Sequence, residues 1–138
     1  MDLGAERCAA MSVLLVDDHV VSRYLIRKIL DEIGFGSILE TDNGSSALEH
    51  YLERAESGKP FDLVITDWMM PGLSGIELVR NIKLHLASSK TLIMMTTASN
   101  SLDFYSAAAN EGIHQIAFKP VRSEDFKARL ATLLRRGG

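Results

Sequence analysis

The amino-acid sequence predicts an α/β domain: a five-stranded, all-parallel sheet, doubly wound with helices on both faces. Three observations predict it. Short apolar runs such as Val13–Val16, Leu63–Ile65, Leu92–Met95 and Ile116–Phe118 show no polar alternation, as expected of strands buried on both faces. Segments between them carry apolar residues at three- and four-residue spacing, so strand and helix alternate as βαβαβαβαβα. The strands also end on groups suited to chemistry: Asp17 and Asp18, Asp67, Thr97 and Lys119.

The chain as a whole narrows the field. Its 138 residues suit one domain with a substantial core. A net charge of −3 gives no electrostatic case for a nucleic-acid or anionic-membrane partner. The single cysteine, Cys8, excludes an internal disulfide and a cysteine-cluster metal site, and suits a reducing cytoplasm. Residues 1–11 contain Asp2, Glu6 and Arg7 and no apolar block, so they do not read as a secretory signal. They read instead as a loose extension ahead of a domain at 12–136. No run reaches membrane-spanning length, and a cytoplasmic monomer that does not insert into membrane is expected.

Taken in order, Val13–Val16 forms the first strand and runs into Asp17-Asp18. Val21, Leu25 and Ile29, with Ile26, Leu30 and Ile33, predict the first helix stripe, closed by Gly34. Ser37–Glu40 is a short second strand. Asn43-Gly44-Ser45 turns the chain and supplies cap residues. Leu48, Tyr51, Leu52 and Ala55 fall at helical spacing, and that helix runs out in the polar loop 56–60. Leu63–Thr66 is the third strand, with Asp67 at its end. Ser74 and Glu77 form a capping box before a helix whose inner stripe reads Leu78, Val79, Ile82 and Leu86. Leu92–Met95 leads to Thr96-Thr97. Leu102, Tyr105, Ala108 and Ala109 mark a short helix closed by Gly112. Ile116–Phe118 is the last strand, ending at Lys119-Pro120. Ser123 caps a final helix that buries Phe126, Leu130, Leu133 and Leu134, with Glu124 and Asp125 at its positive end and Arg135 and Arg136 at its negative end.

In a parallel sheet the carboxyl ends of the strands lie along one edge, where open α/β sheets bind ligands. Each polar residue there has an ordinary explanation alone, as a helix cap or a turn. Together they bring three carboxylates, a hydroxyl and an ammonium to one place. Clustered carboxylates repel, and a hard divalent cation such as Mg2+ removes that cost through oxygen ligands. His19, next to Asp18, reads simply as the start of the first helix. Carboxylate, Mg2+, lysine and hydroxyl suit phosphoryl transfer, with Asp67 as nucleophile, Lys119 pairing with a phosphoryl oxygen and Thr97 donating to another.

These residues resemble the receiver domain of two-component response regulators, the CheY-type flavodoxin-like fold. The resemblance rests on L-L-V-D-D at Leu14–Asp18, D-W-M-M-P-G-L-S-G at Asp67–Gly75, T-A at Thr97-Ala98 and K-P at Lys119-Pro120. The spacings also fit, with Thr97 30 positions after Asp67 and Lys119 22 after Thr97. The resemblance implies strand order 2-1-3-4-5. It implies Asp67 as phosphoacceptor, Asp18 and Asp67 as direct Mg2+ ligands, Asp17 acting through water and the Met69 carbonyl completing the set. It implies Thr97 as the switch hydroxyl and a cis Lys119-Pro120 bond. A sensor histidine kinase or histidine phosphotransfer protein would supply the phosphoryl group, and a protein target would read the face 102–134.

Two departures matter. Ile116 stands where the family usually has Tyr or Phe, so the switch is expected to run through the loop 98–101 and the following helix. Met69 and Ser99 occupy positions that set phosphoryl lifetime in relatives. Rival readings fit less well. An Asp-nucleophile phosphatase of the haloacid-dehalogenase type wants a second Asp where Met69 stands. A flavin or nucleotide binder wants Gly, Ser and Thr where Asp17-Asp18-His19 would repel phosphate. A degenerate receiver acting only as a binding module would not need all five site residues.

Overall fold

The computed structural model describes residues 4–98 and 102–136, with backbone alone at 102 and 103. Its elements are α1 (Ala5–Ala10), β1 (Ser12–Val16), α2 (Val20–Ile33), β2 (Ser37–Thr41), α3 (Gly44–Glu56), β3 (Leu63–Asp67), α4 (Gly75–Lys83), β4 (Leu92–Thr97), α5 (Leu102–Asn110), β5 (Gln115–Phe118) and α6 (Ser123–Arg136). A 3-10 turn, Leu86–Lys90, lies between α4 and β4. The strands pair in parallel in the order β2-β1-β3-β4-β5, as the resemblance implied.

The unbroken apolar strands divide their side chains between two cores. Val13 and Leu15 of β1, Leu63 and Ile65 of β3 and Met94 of β4 pack beneath α2 and α6. Leu14, Val16, Val64, Ile93 and Met95 point the other way, against α3, α4 and α5. Local signals start and stop the helices much as predicted. The Asn43 side chain accepts the Ser46 N–H at 2.8 Å, and Ser74 with Glu77 closes the capping box at α4. Gly34, at φ 107°, ends α2 in the left-handed region that favours glycine.

The structure corrects four expectations. Residues 5–10 are not a loose extension. They form α1, with Cys8 and Met11 buried in the core that holds Phe35, Leu130 and Leu134. The Arg7 guanidinium donates to the Leu134 carbonyl, so α1 is tied to the last helix. A six-residue helix with few apolar anchors has no periodicity to read. In α2 only Ile26, Ile29 and Leu30 are buried, while Val21 and Leu25 face outward. The helix starts at Val20, which places the later residues over the sheet. In α4 the stripe stops at Ile82, because the helix ends at Lys83 and the 3-10 turn throws Leu86 into solvent. In α5 the inner residues are Phe104 and Ala108, whereas Tyr105 and Ala109 lie on the outer side. The expected switch loop falls mostly on 99–101, which with Ser99 lies outside the described residues. Among the described residues no helix is long and apolar enough to cross a membrane.

Candidate functional site

The sheet brings the predicted groups to one edge. Asp67 is the last residue of β3 and is 3% exposed. Asp17 follows β1, wholly buried, with its N–H bonded to the Thr41 carbonyl. Thr97 ends β4 and Lys119 follows β5, and the Lys119 N–H donates to the Thr97 carbonyl at 2.8 Å. The Lys119-Pro120 bond is cis. An open pocket of about 310 Å³ is lined by His19, Asp67, Met69, Thr97, Ala98 and Lys119. Thr97, rather than Thr96, is the threonine that reaches it. The Thr96 hydroxyl is buried elsewhere, without a hydrogen-bond partner among the described residues.

Lys119 holds the cluster together. Its Nζ lies 3.1 Å from Asp67 Oδ2 and 3.2 Å from Asp17 Oδ2. Burial pushes the Asp67 carboxyl above the usual carboxylate range. The charge and hydrogen bond of Lys119 pull it back, while the Asp17 carboxylate pushes it further up and His19 lowers it. Asp17, Asp18 and Asp67 outnumber the one ammonium, so the site remains electron-rich and suits a cation. Asp17 Oδ2 and Asp18 Oδ1 are buried oxygens that make no hydrogen bond among the described residues. Oxygen donors of this kind suit Mg2+. Met69 lines the pocket with its side chain largely exposed.

Close backbone packing sets the position of the Asp67 carboxylate. The Trp68 N–H donates to the Thr96 carbonyl at 3.0 Å, and the Gly75 N–H donates to the Trp68 carbonyl at 2.9 Å. Gly75 starts α4 directly under this loop, and a Cβ there would meet the Asp67 carbonyl oxygen at 2.1 Å. Only a residue without a side chain lets helix and loop approach so closely. The Trp68 ring packs on Phe104 of α5 with centroids 4.5 Å apart, which links the site to the neighbouring face.

One member of the cluster was missed. His19 is the N-cap residue of α2, as its place before the helix suggested, but its ring turns into the site. Its Nδ1 lies 3.3 Å from Asp67 Oδ2, 3.3 Å from Asp18 Oδ1 and 3.4 Å from Asp17 Oδ1. The available signal was a metal-binding side chain directly after the two aspartates at a strand end. On β5, Ile116 pairs with Met95, and Phe118 is the residue in register with Thr97. Phe118 touches Tyr105 of α5 at 6.0 Å between centroids and lies under the Arg129 guanidinium.

A parallel sheet in this order, with acid, hydroxyl and lysine converging on a buried aspartate, defines a phosphorylation-receiver class of protein. Comparison with known families agrees: the family model described as response regulator receiver domain matches residues 13–131. The chain belongs to the response regulator receiver domain family, CheY-like proteins of phosphorylation-dependent two-component signalling. It is 32% identical over 126 residues to the chemotaxis protein CheY of Pseudomonas aeruginosa, covering 91% of this chain and 98% of that protein. Among solved structures it is similar to CheY4 of Vibrio cholerae, with TM-score 0.79, 26% identity and coverage of 90% and 99%. It is also similar to the receiver domain of the Arabidopsis thaliana histidine kinase CKI1 complexed with Mg2+ and BeF3−. There the TM-score is 0.77 at 25% identity, over 96% of this chain and 93% of that one.

Proposed function

We propose that Asp67 is the phosphoacceptor of this receiver and that residues 12–136 carry the function. The observation that carries this reading is Asp67 at the floor of the pocket, with Lys119 Nζ 3.1 Å from its Oδ2. The donor is a histidine kinase or histidine phosphotransfer protein. An Asp67 carboxylate oxygen attacks the phosphorus of the donor's phosphohistidine in line. The new P–O bond gives an acyl phosphate, the P–N bond breaks, and the electron pair returns to the donor imidazole. Asp17, Asp18, Asp67 and the Met69 carbonyl would hold Mg2+, which when bound neutralises charge on the phosphoryl oxygens. Lys119 leaves its carboxylate partners to pair with the transferred group, and Thr97 donates to another of its oxygens.

No reaction on an external substrate is assigned; the chain catalyses its own phosphorylation and dephosphorylation, in the cytoplasm. Output is by protein binding on the face formed by α5, β5 and α6, in a chemotaxis-like or phosphorelay role. The Trp68–Phe104 contact and the Tyr105–Phe118 contact connect the site to that face. Intact-mass measurement with acetyl phosphate and Mg2+ tests the reading. One phosphoryl group should be gained, acid-stable and base-labile, and none in Asp67→Asn. Full labelling of that variant would exclude Asp67.

A further inference from the structure

The His19 ring is not needed to start a helix. As N-cap it makes no side-chain capping bond; its backbone N–H donates instead to Asp17 Oδ1 at 2.8 Å. That bond fixes the residue, and the ring then points at the carboxylates. The four nearest ligand atoms of Asp17, Asp18, His19 and Asp67 all lie within 4.8 Å of one another. Neighbouring donor atoms bound to one dication at about 2.0–2.2 Å stand roughly 3.0–3.5 Å apart and opposite ones about 4.0–4.4 Å, so the four atoms need to draw in slightly on binding. The Nδ1 distances of 3.3, 3.3 and 3.4 Å to three carboxylate oxygens have the neighbouring spacing.

The hydrogen bonding of the ring supports the same reading. Nδ1 is also 3.2 Å from Lys119 Nζ. Toward an ammonium the nitrogen must present its lone pair, and toward three carboxylates that lone pair is repelled. A single proton on Nδ1 would satisfy one carboxylate and oppose Lys119. A dication satisfies the nitrogen lone pair and the oxygens together, and it displaces the Lys119 ammonium from Nδ1 and the carboxylates. One of those oxygens, Asp18 Oδ1, is buried without a hydrogen bond among the described residues.

We propose that His19 Nδ1 is a ligand of this metal site, and that the site takes a first-row transition dication such as Mn2+ or Zn2+ in preference to Mg2+. Imidazole nitrogen suits Zn2+ above all and adds to the hold on Mn2+, which also accepts oxygen ligands, whereas an all-oxygen site suits Mg2+. The inference rests on the reading of Asp17, Asp18 and Asp67 as the metal carboxylates.

The test uses the whole chain. Calorimetric titration should give at least about tenfold tighter binding of Mn2+ than of Mg2+, and tighter binding still of Zn2+. His19→Ala should weaken Mn2+ and Zn2+ at least about tenfold and Mg2+ less than about threefold. Pulsed electron paramagnetic resonance of the Mn2+-loaded parent should show nitrogen coupling from a bound imidazole. The coupling should vanish in His19→Ala and persist in His50→Ala. Absence of nitrogen coupling in the parent, or an equal loss of all three cations in His19→Ala, overturns the role of His19. Asp18→Ala should remove binding of every cation. If it binds them as the parent does, the carboxylate site itself is misplaced, and that failure is distinct from failure at His19.

Discussion

Gly75→Ala tests how tightly the backbone fixes the phosphoacceptor. An ideal Cβ at position 75 would stand 2.1 Å from the Asp67 carbonyl oxygen and 3.0 Å from Trp68 Cα, where side chains essentially never come closer than 3.0 Å. The loop or the start of α4 must therefore move by about 0.9 Å. Both neighbours are backbone, so no side chain can swing aside. Overpacking of this kind costs about 1–3 kcal/mol. The better helix preference of alanine returns at most about 1 kcal/mol, and less at a helix's first residue. A net loss of about 1–2 kcal/mol should lower the melting temperature by about 3–6 °C in a domain of this size. The shift also displaces Asp67 relative to Lys119, and a misplacement of about 1 Å can slow a positioned reaction about 100-fold. Phosphorylation by acetyl phosphate, followed by intact mass, should be about 10–100-fold slower. A variant that melts with the parent and reacts at the parental rate would show slack between helix and loop, and the positioning argument would fail. Destabilisation without slower labelling would make Gly75 a packing residue only.

Lys119→Ala should bind the cation as well as the parent or up to about tenfold tighter, because an ammonium 3.1 and 3.2 Å from two of the carboxylates has been removed. The same variant should lose most of the Trp68 fluorescence change caused by phosphorylation, and a parental response would exclude the pairing proposed for Lys119. His114 supplies a pH test: its Nδ1 accepts the Ile93 N–H at 2.9 Å, and burial first, then Lys83 and Arg136, hold its pKa below the ordinary value. The neutral ring is the bonded form, so its contribution is complete above the unfolded value of about 6.5 and is lost as pH falls through the folded one. Between pH 7.5 and 5.5 the urea midpoint of the parent should fall further than that of His114→Asn, and parallel falls would remove the assignment. With beryllofluoride, amide shifts away from the site should concentrate in α5 and survive Ile116→Ala, since Phe118 is the residue beside Thr97 that touches α5. Their loss in that variant would make Ile116 the switch residue.

The sequence by itself determined the elements and the edge on which the chemistry sits. Both follow from local information. Apolar runs without alternation are buried strands, period and caps set the helices, and parallel strands place Asp17, Asp67, Thr97 and Lys119 at one edge. It did not determine which helix face turns inward when the apolar residues exceed the core's width, as at Val21, Leu25, Leu86 and Tyr105. That choice depends on where each helix begins and ends against the sheet, which is settled by packing with distant residues. Nor did it show that α1 docks, since Cys8 is buried in a core shared with Phe35 and Leu130, and Arg7 bonds to the distant Leu134 carbonyl. The convergence of the His19 ring with Asp67 and Lys119 was decided by the tertiary structure. Beside the adjacent Asp17 and Asp18, the ring meets Asp67 and Lys119, which are 48 and 100 positions away in the chain. Only the assembled sheet brings those atoms within reach of one imidazole.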